Sequence, residues 1–250
     1  MTDAVLSSRN GPLLHITLNR PDVRNAIDSS VSTGVLAALE ELDSDDELRV
    51  GVLSGTGRTF CAGLDLRAFA EHGLPKRIGR LFRHEGRKPL VAAVEGAALG
   101  GGLELALVAD LVVAADDALL GSPEVRFGLF PGGSALMKLP RTMPLAMVTR
   151  LALTGEPITA RRAHELGLVV ELTPPGGAVE AATGLATTIA ANAPLGVQAA
   201  LELLRRVPGR APEELWQEQD QKVAEIFASD DAAEGARAFA ERRPPRWTGR

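Results

Sequence analysis

The chain has 250 residues, 45% hydrophobic and 24% charged, with a formal net charge of −5. That profile fits a soluble globular protein that buries roughly 70–75% of its unfolded surface and needs no metal or disulfide to hold a core. The lone cysteine, Cys61, excludes an intrachain disulfide and a multi-cysteine zinc site. The acidic balance and nine aromatics without a tyrosine argue against nucleic-acid binding.

The N-terminal MTDAVLSSRNG carries no apolar signal core, and the most apolar stretch, Leu90–Ala115, is broken by Glu95, Glu104, Asp110 and three glycines. No uncharged window approaches the ~20 residues of a membrane span, so a cytoplasmic protein without membrane partners is expected. Strands are predicted at Leu13–Leu18, Val50–Leu53, Leu90–Val94, Leu111–Ala115 and Val169–Leu172. The last four are apolar throughout, as in strands covered on both faces. Between the first two, Val31, Val35, Leu39 and Leu42 form the stripe of a helix over Asp28–Asp43. Pro144 and Gly155 bracket another helix, with the proline at its first position, and Thr159 and Gly167 bracket a short one. From Ala178 the strand signal vanishes, and Leu195–Val207, Ala211–Ala228 and Asp230–Arg242 read as helices. Leu215, Trp216, Val223, Ile226 and Phe227 face either their own domain or a second subunit.

Nucleophile-elbow, phosphate-loop and dinucleotide signatures are missing, and the four histidines form no close metal-ligand pair. Two glycine-containing turns and two carboxylates remain. The turn Gly55–Leu66 reads as a strand-to-helix connection capped by Asp65, or as a place where a ligand lies against Ala62 and Gly63. The triplet Gly100–Gly102 precedes a helix over Leu103–Ala109. It leaves first-turn N–H groups and a dipole suited to developing negative charge, or simply permits close packing. Glu104 has only apolar neighbours at helical spacing, so its pKa is raised unless it is paired. Glu124 reads by itself as a first-turn glutamate after Pro123.

In order and spacing, these pieces resemble the enoyl-CoA hydratase/isomerase (crotonase) family over nearly the whole chain. The matching blocks are Leu18–Pro21 with Arg24–Ala26, Phe60–Leu66, Gly96 with Gly100–Glu104, Ser122–Glu124, Gly128–Gly133, Leu139–Arg141, Leu153–Gly155, Ala163 with Gly167–Val169, and Glu234–Pro245. One loop departs: where the family carries Gly-Ala-Gly-Gly-Thr and an arginine, this chain has Gly132-Gly133-Ser134-Ala135-Leu136-Met137-Lys138.

The resemblance implies an α/β, crotonase-like spiral of ββα repeats. Residues 1–190 would form the acyl-CoA-binding core, and 191–250 a C-terminal helical trimerisation region giving trimers or hexamers. It implies an acyl-CoA thioester substrate and no cofactor beyond the coenzyme A of that substrate. The N–H groups of Leu64 and Gly101 would form the oxyanion hole, and Glu104 and Glu124 would hold the water. Arg24, Ala26, Ala62, Asp65 and Leu66 would contact coenzyme A, as would Phe239 and Arg242. Ala68–Lys88 would form the variable wall of the acyl pocket, its basic residues Lys76, Arg77, Arg80, Arg83, Arg87 and Lys88 reading as a solvated face. Hydration of a trans-2-enoyl-CoA is the expected reaction. Double-bond isomerisation on the same scaffold and a catalytically weak acyl-CoA-binding protein are the alternatives.

Overall fold

The computed structural model describes residues 3–250. A hairpin of β1 (Val5–Asn10) and β2 (Leu13–Leu18) opens the main sheet. Strands β3 (Val50–Gly55), β4 (Leu90–Val94), β6 (Leu111–Ala115) and β9 (Glu171–Thr173) then add in parallel, giving the order β1-β2-β3-β4-β6-β9. A smaller sheet of β5 (Ala97–Leu99), β7 (Leu119–Gly121) and β8 (Ile158–Thr159) follows the order β5-β7-β8. Main-sheet strands β4 and β6 are thus each succeeded by a short strand of the second sheet, the repeating step of a crotonase-like spiral.

Alternate residues of the apolar strands supply two cores. Leu14, Ile16, Leu53, Ala92, Val94 and Val112 face a core shared with α1 (Ser29–Ser44). Leu13, Val50, Val52, Val91, Ala93 and Val113 face α8 (Ala178–Ala190), which meets them with Ala178, Ala182, Ala186 and Ala190. Asp28 caps α1 by accepting from the N–H groups of Ser30 and Val31. Glu95 performs the same service for α8, taking the N–H groups of Gly176 and Ala178.

The remaining helices are α2 (Leu66–His72), α3 (Ile78–Phe82), α4 (Gly101–Ala106), α5 (Ala135–Lys138), α6 (Leu145–Thr154), α7 (Ala160–Glu165), α9 (Pro194–Arg206), α10 (Pro212–Phe227) and α11 (Asp230–Glu241). Gly155 ends α6 in the left-handed region and Thr159 caps α7, as their positions suggest. Pro144, however, precedes the first residue of α6 rather than occupying it. The last strand starts two residues later and ends one later than expected, because Gly167 turns left-handed and Leu168 and Val169 are drawn into the core. Helix α4 begins and ends earlier than Leu103–Ala109, since the backbone carbonyl of Gly100 already accepts from Glu104. Lys88 does not belong to a solvated face: it is buried, and its Nζ donates to the carbonyls of Leu42 and Asp45 at the end of α1.

Helices α9 to α11 fall within residues 191–250. Residues 244–250 return from them to the core, where the Trp247 indole donates to the Ala191 carbonyl and Arg49 donates to the carbonyls of Ala190 and Trp247. No residue of α9 is fully buried, and in α10 only Leu215 is. Among the described residues no helix is long and apolar enough to cross a membrane.

Candidate active site

The loop between β3 and α2 lies alongside residues 24–27. Ala62 N–H donates to the Arg24 carbonyl (3.0 Å), Ile27 N–H to Gly63 (2.7 Å) and Asp65 N–H to Ile27 (3.0 Å). Two segments far apart in sequence, both expected to contact coenzyme A, are thereby brought together. Because Ile27 pairs with the groups of residues 63 and 65, the N–H of Leu64 turns to the opposite side. There it meets Gly101, whose N–H has no intrahelical partner because it opens α4. A Cβ on Gly101 would stand 3.6 Å from the Leu64 nitrogen. Among the described residues neither N–H has an acceptor. The approach depends on Gly63, whose φ of +107° and 2.7 Å spacing from a would-be Cβ to the Leu99 carbonyl leave no room for a side chain.

Glu104 lies one turn further along α4, only 4% exposed. Its Oε1 accepts from the N–H groups of Gly133 (2.7 Å) and Ala135 (3.4 Å). A Cβ at Gly133 would stand 2.5 Å from both Glu104 Oε2 and Phe82 Cδ2, so the aromatic ring of α3 flanks the carboxylate. Burial pushes the Glu104 pKa up to about 7, aided by the charge of Glu124 and opposed by the loop N–H groups. Glu124 sits on the 3₁₀ turn Glu124–Phe127, half-buried. Its Oε2 accepts from Ser122 Oγ at 2.7 Å, while Oε1 points toward Gly100, 3.4 Å from where a Cβ would be.

The rest of the expected site is held by residues whose importance sequence reasoning missed. Arg20 donates to the Ala26 carbonyl and pairs with Asp28 and Asp65. Asn25, fully buried with a positive φ, donates to the carbonyls of Thr56 and Thr59. Asp65 caps α2 as expected. Burial opposes its charge, but the Ala68 N–H and the Arg20 guanidinium hold its carboxyl below the usual carboxylate range. Arg24 and Leu66 are exposed and Ala26 is 9% exposed, along the rim of this loop pair. Phe239 and Arg242 are not brought to this cleft by the contacts of their helix: they lie on and at the end of α11, which packs on α10. Gly133 and Ser122 carried no side-chain signal beyond their places in the matching blocks, and Ala135 lies in the loop that departs from the family pattern.

The fold and cleft define an enzyme scaffold with two carboxylates beside a pair of free backbone donors. The Enoyl-CoA hydratase/isomerase family matches over residues 8–250. The chain is 39% identical to an enoyl-CoA hydratase of Mycobacterium tuberculosis, over 98% of this chain and 96% of that one. It is 36% identical to a carnitinyl-CoA dehydratase of Salmonella arizonae over all of both chains. The crystal structure of another enoyl-CoA hydratase from M. tuberculosis superimposes with a TM-score of 0.96, at 47% identity and full coverage of both chains. The chain belongs to the enoyl-CoA hydratase/isomerase family.

Proposed function

We propose that the protein adds water across the 2,3 double bond of a trans-2-enoyl-CoA. The observation that carries this reading is the adjacency of the unpartnered Leu64 and Gly101 N–H groups to a cleft in which two carboxylates feel each other's charge. The thioester oxygen accepts from both N–H groups, which stabilise the enolate-like charge that builds on it. Glu104 takes a proton from water as the water oxygen bonds to C3. Glu124, which enters the cycle protonated, delivers that proton to C2, the enolate collapses to the 3-hydroxyacyl thioester, and Glu104 then releases its proton while Glu124 takes one up from solvent. A base with a pKa near 7 is matched to this work at neutral pH. Coenzyme A lies along the Arg24–Ala26 and Ala62–Leu66 segments. The chain works as a trimer or hexamer, with Phe239 and Arg242 completing the coenzyme A site.

Incubation with a series of 2-enoyl-CoA thioesters tests this, through loss of the conjugated thioester absorbance and identification of the products. A 3-hydroxyacyl-CoA product is expected. A shifted double bond would make the protein an isomerase, and no conversion of any member would leave an acyl-CoA-binding protein.

A further inference from the structure

The two glutamates are held in unlike ways. Glu104 is cradled by backbone N–H groups, whereas Glu124 is held by a side chain: Ser122, 2% exposed, directs its hydroxyl onto Oε2 at 2.7 Å. Ser122 follows directly on β7, whose pairing with β5 and β8 fixes the hydroxyl's origin. Glu124 is two residues further on, across Pro123, so little chain separates donor from acceptor. The other carboxylate oxygen, Oε1, faces Gly100 at the start of α4, beside the Gly101 donor.

We propose that Ser122 is a positioning residue that fixes which oxygen of Glu124 carries the acid proton. Oε2 is engaged as the acceptor of the Ser122 hydroxyl, so the proton is carried on Oε1, the oxygen turned toward the Gly100–Gly101 turn, beside the N–H groups to which the hydration reading assigns the thioester oxygen. The carboxyl then cannot rotate freely between productive and unproductive presentations. This rests on the hydration reading above, and assigns Ser122 a share in the protonation step rather than in thioester binding.

Ser122→Ala and Ser122→Thr test it. The alanine variant should lose roughly 10- to 100-fold in kcat, the size expected for removing a hydrogen bond to the carboxylate charge that forms on Glu124 as it gives up its proton. Threonine, which keeps the hydroxyl, should restore most of that loss. The dissociation constant for butyryl-CoA, which has no double bond to hydrate, should stay within about twofold in both variants. Hydration in D2O provides a readout that a merely structural role would not move. Both enzymes should place deuterium at C2 with one stereochemistry, because either oxygen of Glu124 faces the same side of the enolate, but the solvent isotope effect on kcat should be larger in Ser122→Ala, where proton delivery is slower.

Wild-type kcat and a wild-type solvent isotope effect in Ser122→Ala would overturn the role of Ser122 and leave the hydration reading standing. So would a loss that threonine does not rescue and that comes with weakened butyryl-CoA binding. A wild-type protein that hydrates no enoyl-CoA would overturn both.

Discussion

The Glu104 carboxyl gives up its proton only near pH 7 because its charge is formed beside Phe82, out of reach of bulk water, with a second carboxylate close by. Activity and stability therefore run in opposite directions with pH. As the base of hydration Glu104 must be ionised, so kcat/KM for an enoyl-CoA should rise as pH rises through about 7. Stability behaves otherwise. Below about 4.5 the carboxyl is neutral in folded and unfolded chains alike, but between there and about 7 the folded state binds the extra proton, so stability falls as pH rises. Glu104→Gln should thus abolish hydration by at least ~10²–10⁴-fold. It should also make the protein more stable than wild type at pH 8, by up to about 3 kcal/mol, with the gap closing toward pH 5. Urea titrations at the two pH values check this; a variant less stable than wild type at pH 8 would mean that the buried charge is better compensated than its surroundings indicate. Glu104 was legible in the sequence because its helical neighbours are all apolar. Its partners at Gly133 and Ala135 were not, because backbone N–H groups leave no trace in residue type. Ser134, between them, has a buried hydroxyl without a partner. Ser134→Ala should therefore be neutral or stabilise by about 1 kcal/mol in the same titrations.

At the scale of elements, β2, β3, β4, β6 and β9 were legible as short runs of apolar, β-branched residues and α1 from its stripe at helical spacing, whereas β1, mostly exposed, and the two- and three-residue strands β5, β7 and β8 were not. Helix α8 was not. Its core face consists of alanines at every fourth position, which give little hydrophobic contrast but let the helix axis lie close to the sheet. That closeness is testable. Ala186, with no exposed surface, should not accept leucine: Ala186→Leu should cost about 1–3 kcal/mol in a denaturant titration, as overpacking does. An unchanged midpoint would show that the layer has slack. The alignment of residues 24–27 with 62–65 was invisible for another reason. It rests on one isolated bridge, Ile27 to Leu64, and two adjacent left-handed residues, Arg24 and Asn25, not on any periodic pattern.

For the whole molecule, the decisive feature is what the C-terminal helices leave uncovered. Leu204, Trp216, Phe227 and Phe239 are 66, 55, 78 and 87% exposed. Helices α9 and α10 meet through ion pairs, among them Arg206–Glu218 and Lys222–Glu202, which are worth little when solvated. Exposed apolar surface on this scale is what contact with other subunits would cover. Sedimentation at micromolar concentration should therefore give a trimer or hexamer, and removal of residues 195–250 should give a monomer or aggregate. A full-length chain that sediments as a monomer would refute this assembly. The sequence offered two readings of α10, its own domain or a second subunit. Within the single chain its large apolar residues other than Leu215 are not fully buried.

The order of strands across the main sheet is also the order in which a ribosome would deliver them. Each new strand finds its neighbour already made, so the sheet can lengthen steadily during synthesis. The face that packs on α8 has no such luck. Leu13, Val50, Val52, Val91, Ala93 and Val113 are all in place before residue 178 is translated, and α8 packs across β2, β3, β4, β6 and β9 alike. From Val113 until α8 is made the growing chain therefore carries a broad, bare apolar face, and one helix then packs across it in a single late event. The interval between β9 and α8 is when a nascent copy is most exposed to its neighbours and has most use for a chaperone.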